Sequence, residues 1–145
     1  MSNMRGFHFV IAKLMKQYQI NAAKAAESGH DVYIITLENG MQVFLLGNQP
    51  EYLNILSPAA TFTEVETIPH HVLLSLLSMN MWNTKHPVFN IGFDIHKMQI
   101  MLSCRQALAE LDQAETYQLV GTFINTALKL NEWIDQQMET ISAKK

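Results

Sequence analysis

The chain has 145 residues with a formal net charge of −3, and 48% of them are hydrophobic whereas only 16% are charged. This length favours a single domain, residues 1–145, whose core is large enough to need neither a metal nor a disulfide. The absence of a basic stripe disfavours a nucleic-acid partner, the lone cysteine excludes an internal disulfide, and no apolar run approaches the ~20 residues that span a bilayer.

The low charge leaves two interpretations open. Either a large core lies under a surface rich in uncharged polar residues, or part of the apolar surface is reserved for a partner. The N-terminal stretch lacks the apolar core and cleavage site of a signal peptide. We therefore expect a soluble, cytoplasmic protein.

The first predicted element is an amphipathic helix over Gly6 to Gln19. Its apolar side chains recur at helical spacing on one stripe: Phe7, Val10, Ile11, Leu14 and Tyr18. The end of this helix is open, because the chain can stop near Asn21 or continue to Ser28-Gly29.

A three-strand antiparallel meander is predicted next. Its strands run from Val32 to Leu37, from Met41 to Leu46 and from Tyr52 to Leu56. Asn39-Gly40 between the first two is the strongest short signal for a hairpin. Ser57-Pro58 closes the third strand, and Ala59 to Ile68 is expected to be a linker.

The second predicted helix follows Pro69 and is apolar on nearly every side from Val72 to Trp82. Such a helix is normally buried. A domain of this size cannot bury every face of one helix, so the apolar surface that remains exposed favours a subunit interface.

The last segment is predicted to be a hairpin followed by a long helix. The arms of the hairpin are Val88 to Ile95 and Met98 to Leu102, with a turn at Asp94 to Lys97. The helix begins at a D-x-x-E capping box, Asp112 with Glu115, and runs to about Met138. Its predicted buried stripe is Leu119, Val120, Phe123, Ile124, Ala127, Ile134 and Met138. The element order α-β-β-β-α-β-β-α defines an α+β fold, with an antiparallel sheet packed against helices.

The sequence contains no arrangement typical of catalysis. His70 and His71 are adjacent and diverge on either a helix or a strand, so they do not form a metal-ligand pair. Cys104 has no C-x-x-C partner and reads as a small core residue. We expect no enzyme activity, no metal and no cofactor.

The order of several motifs resembles that of type III secretion chaperones of the Tir-chaperone-like class (class I). The similar stretches are Asn83, the strand Phe89 to Asp94, the apolar strand Met98 to Leu102 with Arg105, the segment Ala107 to Ala109, the helix that carries Trp133, and Tyr52 to Pro58. The resemblance spans nearly the whole chain, and its specificity comes from the order of these motifs.

The resemblance implies a homodimer that binds the N-terminal segment of a secreted effector in extended form and keeps it export-competent without ATP. The export ATPase is a further candidate partner. The residues expected to contact the effector are Phe9, Leu14, Tyr18, Phe44, Ile100 and Leu102. The residues expected at the dimer interface are Leu76, Met79, Trp82, Ile91 and Phe93.

Two other functions stay open at this stage, because a fold does not fix a function. The first is a dimeric adaptor or regulator on the same fold, without a secretion client. The second is a small-molecule enzyme or ligand carrier with a pocket under the sheet, for which no converging polar residues are found.

Overall fold

The structure, a computed structural model, describes residues 32–47, 51–82, 88–110 and 113–143. The predicted helix from Gly6 to Gln19, Asn83 and the capping residue Asp112 lie outside these ranges. The described part contains five strands, two α-helices and two short 3-10 turns. The elements are β1 (Val32–Thr36), β2 (Gln42–Leu46), β3 (Tyr52–Thr61), a turn at Val65–Thr67, α1 (His70–Trp82), β4 (Asn90–Asp94), β5 (Gln99–Ala107), a turn at Leu108–Glu110 and α2 (Gln113–Ala143).

The strands form one antiparallel sheet with the order β1-β2-β3-β5-β4. The first three strands are the predicted meander, and the last two are the predicted hairpin. The α+β fold class is therefore confirmed.

The β1–β2 hairpin forms where Asn39-Gly40 predicts it. The Leu37 amide donates a hydrogen bond to the Met41 carbonyl oxygen at 2.8 Å, which closes the loop. The Asn39 side-chain oxygen accepts from the Met41 amide at 3.0 Å. Gly40 has a φ of +89°, a left-handed conformation that a residue without a Cβ adopts at no steric cost.

Strand β3 continues to Thr61, so the prediction that it ends before Ser57-Pro58 and gives way to a linker is wrong. Pro58 is tolerated because the pairing of β2 with β3 reaches only Leu56, and beyond it β3 needs hydrogen-bond donors only toward β5. The register with β5 shifts between Pro58 and Ala60. Helix α2 contacts this irregular segment directly: the Asn131 side-chain amide donates a hydrogen bond to the Ala59 carbonyl oxygen at 2.7 Å.

The β4–β5 turn is built around Asp94, as the sequence predicts, but it begins one residue later. The Asp94 carboxylate accepts hydrogen bonds from the amides of His96 (3.0 Å) and Lys97 (3.2 Å). Met98 closes the turn with a φ of +57° and is not the first strand residue. Strand β5 begins at Gln99 and extends to Ala107, beyond the predicted end at Leu102.

The core lies between one face of the sheet, here called the inner face, and α2. Buried side chains alternate along the strands with half-buried or exposed ones, as expected for a sheet covered on one side. Phe123 of α2 and Phe89 meet edge to face with ring centroids 5.3 Å apart. The strand residues buried on the inner face are Ile35, Val43, Leu45, Leu53, Ile55, Ser57, Ala59, Ile100, Leu102, Cys104 and Gln106.

Helix α2 buries the stripe that its sequence predicts. Six of the seven predicted stripe residues are buried, and Met138 is half-buried. The helix continues to Ala143, beyond the predicted end near Met138. The buried six are Leu119, Val120, Phe123, Ile124, Ala127 and Ile134.

Helix α1 lies beside β4 and contacts α2. His71 Nε2 and Gln137 Oε1 are 3.3 Å apart, a hydrogen-bonding distance that links the two helices. Only Val72 and Leu76 of α1 are buried. The helix therefore covers one end of the core and leaves most of its apolar side chains outside it.

Candidate functional site

The outward side of α1 carries an exposed apolar stripe. Leu74, Leu77 and Met81 are 66%, 65% and 68% exposed, although each is a large apolar side chain. Their spacing of three and four residues places them on one face of the helix, opposite Val72 and Leu76. We call these three residues the α1 stripe. An exposed apolar stripe of this kind is typical of an interaction surface.

Further exposed apolar side chains lie at the β4 end of the sheet, next to α1. Phe93 of β4 and Ile95 of the following turn are exposed, as is Val88 before the strand. Trp82, the last residue of α1, is 73% exposed. Among the described residues, eight of the ten exposed large apolar side chains therefore lie on α1 or on β4 and the residues that flank it.

The face of the sheet opposite the core, here called the outer face, carries a second apolar surface. Cross-strand pairing places Ile34, Phe44 and Leu56 in one row across β1, β2 and β3. All three side chains are half-buried. Adjacent rows of a sheet face are within reach of one extended ligand. The outer face can therefore offer apolar contacts to a chain that lies across the strands.

A shallow open groove on the outer face mixes apolar and polar groups. Arg105 of β5 is exposed and lies over the Tyr52 ring, with its guanidinium carbon 4.7 Å from the ring centroid. This stacking holds the guanidinium at the groove while it stays accessible to an anion. The outer-face residues that line the groove are Leu46, Asn54, Leu56, Asn90, Ser103 and Arg105.

The predicted dimer residues occupy different environments. Leu76 is only 5% exposed and belongs to the core of its own subunit. Ile91 is half-buried against that core, whereas Met79, Trp82 and Phe93 are exposed. The assignment of Leu76 to the interface is therefore corrected, because its neighbours on the α1 stripe hold the accessible apolar area.

The predicted effector-contact residues separate in the same way. Ile100 and Leu102 are 1% and 2% exposed on the inner face, so they have no accessible side chain to offer, and their assignment is corrected. Phe44 lies on the outer face and is half-buried. Phe9, Leu14 and Tyr18 lie outside the described residues. Sequence analysis missed Tyr52 as the partner of Arg105, because a contact between separate strands leaves no local signal.

Among the described residues, we find neither an activated thiol at Cys104 nor a cluster of side chains that could hold a catalytic metal. Burial raises the pKa of the Cys104 thiol to about 11, which disfavours the reactive thiolate. Among these residues no group of three or more His, Cys, Asp or Glu side chains is positioned to hold a metal ion. No described helix is both long and apolar enough to cross a membrane.

Comparison with known proteins gives a family and a set of similar folds. The sequence model of the Tir chaperone protein (CesT) family matches residues 10–131. A search of curated protein sequences gives no match.

Three solved structures illustrate the similarity of fold. The ExsC–ExsE complex matches with a TM-score of 0.62 and 15% identity, over 78% of this chain and 89% of the matched chain. The HopA1–SchA chaperone–effector complex matches with a TM-score of 0.59 and 10% identity, over 84% and 97% of the two chains. The Yersinia pestis type III secretion chaperone SycH, solved with a stable fragment of YscM2, matches with a TM-score of 0.52 and 14% identity, over 81% and 96%.

Proposed function

The chain belongs to the Tir chaperone protein (CesT) family, and we propose that it is a cytoplasmic type III secretion chaperone that binds the N-terminal segment of an effector. The observation that carries this proposal is the exposed apolar surface of a chain whose family is one of chaperones. In this proposal the work of keeping the segment soluble comes from binding energy alone, without ATP or a catalytic residue.

Solved relatives of the fold support a protein client. HopA1–SchA is a chaperone–effector complex, and SycH is a type III secretion chaperone solved with a fragment of its partner. A disordered client segment loses conformational entropy when it binds, so it needs a large apolar contact area. The outer face offers such an area through Ile34, Phe44 and Leu56.

Arg105 adds a chemical preference to this surface. Within the described ranges the structure gives the Arg105 side chain one partner, the Tyr52 ring, and no carboxylate. A client segment with apolar residues around one Asp or Glu therefore complements the groove, because the carboxylate can pair with the guanidinium. Such a pair fixes the register of the segment more than it adds affinity.

The proposed homodimer uses the α1 stripe. Two copies that pack their stripes together would remove Leu74, Leu77 and Met81 from water, and each fully buried side chain of this size contributes about 1.5–3 kcal/mol. A two-fold dimer requires a surface that is complementary to itself, which an apolar stripe on one helix provides. Trp82 and Phe93 are the proposed flanking contacts.

The experiment that tests this function is isolation of the tagged full-length chain from its native host. Bound proteins are identified by mass spectrometry, and protease trimming defines the segment that the chain shields. We expect one secreted protein, shielded only near its N-terminus. The Phe44→Asp variant should lose this partner, whereas Asn125→Asp, on the exposed face of α2 and away from the outer face of the sheet, should keep it.

Two outcomes would contradict the proposal. If the chain is isolated alone from a host that expresses its secretion system, it has no client of the proposed kind. If it carries a cytoplasmic regulator bound through a folded domain, the adaptor function replaces the secretion function.

A further inference from the structure

A side chain of α1 occupies the free edge of the sheet. The Asn80 carboxamide makes two hydrogen bonds to the backbone of Ile91 in β4. Its oxygen accepts from the Ile91 amide at 2.6 Å, and its nitrogen donates to the Ile91 carbonyl oxygen at 2.6 Å. Asn80 therefore satisfies both backbone groups of one strand residue, much as a neighbouring strand would.

The geometry of β4 places these two groups on its open side. In an antiparallel sheet the amide and carbonyl of one residue point the same way, and the direction alternates along the strand. Among the described residues, strand β4 lies at the edge of the sheet and pairs only with β5. Since Asn80 takes both groups of Ile91, the groups that face β5 belong to the residues on either side, Asn90 and Gly92.

Ile91 is the second residue of a strand that runs only from Asn90 to Asp94. A sixth strand added at this edge would have to bond to the outward groups of Ile91 and Phe93, the only outward-facing residues within β4. The Ile91 groups are already taken. An incoming strand would have to displace Asn80 from Ile91, so the two hydrogen bonds that it gained at Ile91 would only replace two that the chain already makes.

We infer that Asn80 closes the β4 edge to strand pairing, so that a second copy of the chain meets this end of the molecule through side chains and not through a continuous sheet. Exposed edge strands are sites of unwanted association, and proteins protect them by covering them. In this protein the Asn80 carboxamide covers the β4 edge at Ile91. The inference does not depend on the identity of any client.

The same helix exposes the apolar α1 stripe on its outward side. The two sides of α1 therefore have different roles. Toward β4, Asn80 occupies the backbone edge, and away from it Leu74, Leu77 and Met81 are free to pack. A partner attracted by the stripe therefore finds the outward backbone groups of Ile91 already bonded to Asn80.

The test compares Asn80→Ala with Asn131→Ala in the full chain. Asn131 is a matched control because its carboxamide also binds a strand carbonyl, that of Ala59, but at an interior strand and not at an edge. Sedimentation velocity over a range of concentrations reports the assemblies, and hydrogen exchange read by NMR reports the Ile91 amide. Circular dichroism establishes that each variant is folded.

We expect Asn80→Ala to form concentration-dependent assemblies larger than those of the wild type. Its Ile91 amide should exchange at least tenfold faster at concentrations too low for assembly. Asn131→Ala should show neither change. If Asn80→Ala is unfolded, Asn80→Leu serves in its place, since leucine has a similar branched shape and a higher helix propensity than asparagine but forms neither hydrogen bond.

Two results from the variants would overturn the inference. One is a folded Asn80 variant whose mass matches the wild type at every concentration. The other is formation of the same large assemblies by Asn131→Ala, which would show that general loosening is the cause. In the wild type, an Ile91 amide that exchanges as fast as the Ile95 amide in the adjacent turn would also contradict it.

Discussion

Helices α1 and α2 are both rich in apolar residues, yet they place them differently. In α2 the apolar side chains follow one stripe, and that stripe is buried against the sheet. In α1 they are spread around the helix, and only Val72 and Leu76 are buried. The comparison separates two uses of apolar surface within one small domain, since α2 closes the core and α1 presents what the core cannot cover.

The largest expected effect comes from substitutions at Leu76 and Leu77, two neighbouring residues of α1 of which the first is buried and the second exposed. Leu76→Asp would place a charge in the core and should abolish folding, since a buried unpaired carboxylate is very costly. Leu77→Asp should leave the subunit folded and weaken the dimer at least tenfold. Circular dichroism and sedimentation equilibrium of both variants measure the two effects.

The control for this pair is Asn125→Asp, which adds the same charge to the exposed face of α2. It should change neither the fold nor the dimer. A folded, fully dimeric Leu77→Asp protein would show that the α1 stripe is not the interface.

In α2 the sharpest change is Phe123→Ala. Phe123 is fully buried and meets Phe89 edge to face, so its truncation should lower the free energy of unfolding by about 3–5 kcal/mol. Urea unfolding at one fixed protein concentration measures this change, because dimerisation makes stability depend on concentration. Asn125→Ala on the exposed face should stay within about 0.5 kcal/mol. Equal stability of the two variants would mean that α2 does not close the core.

The outer face extends the comparison to the sheet. Arg105→Glu reverses the charge at the groove, so it should weaken binding of a client segment that carries a carboxylate several-fold and leave the fold intact. Titration of the isolated client segment by calorimetry, with Lys129→Glu on the exposed face of α2 as the charge-matched control, measures the effect. Unchanged affinity for Arg105→Glu would remove Arg105 from the proposed client surface.

The smallest expected effect concerns the pH dependence of stability. Burial raises the pKa of Cys104 from 9.0 to about 11, so the folded state holds the thiol proton more tightly than the unfolded state does. Its contribution is fully present below pH 9 and is lost as the pH rises through 11, with a slope of at most about 1.4 kcal/mol per pH unit.

The measurement is the difference in unfolding free energy between the wild type and Cys104→Ala, followed from pH 8 to pH 11. Subtraction removes the titration of other groups. A difference that does not change with pH would contradict the burial of this thiol.

Local turn chemistry made much of the fold predictable. Asn39-Gly40 located the first hairpin, and Asp94 located the second. The periodic stripe of α2 identified its buried residues, because a strong period also fixes which side of a helix faces the core. Family resemblance supplied the chaperone function, which composition and spacing alone could not.

The remaining assignments depended on information that is not local. Residues 72–82 are apolar on nearly every side, so no period shows that Leu76 faces in and Leu77 faces out. Alternation along β5 shows that Ile100 and Leu102 share a face, but the side on which α2 packs decides which face it is. Asn80 gives no signal in the sequence, because its role appears only once β4 lies beside α1.

The measurement that tests the division between α1 and α2 most directly is the mass of the full-length chain, free of client, by sedimentation equilibrium. We predict twice the 16.5 kDa of one chain, and a return to 16.5 kDa for Leu77→Asp with its helix content unchanged. A wild-type chain that stays at 16.5 kDa at every concentration would contradict the account, since the α1 stripe would then have no second copy to cover it.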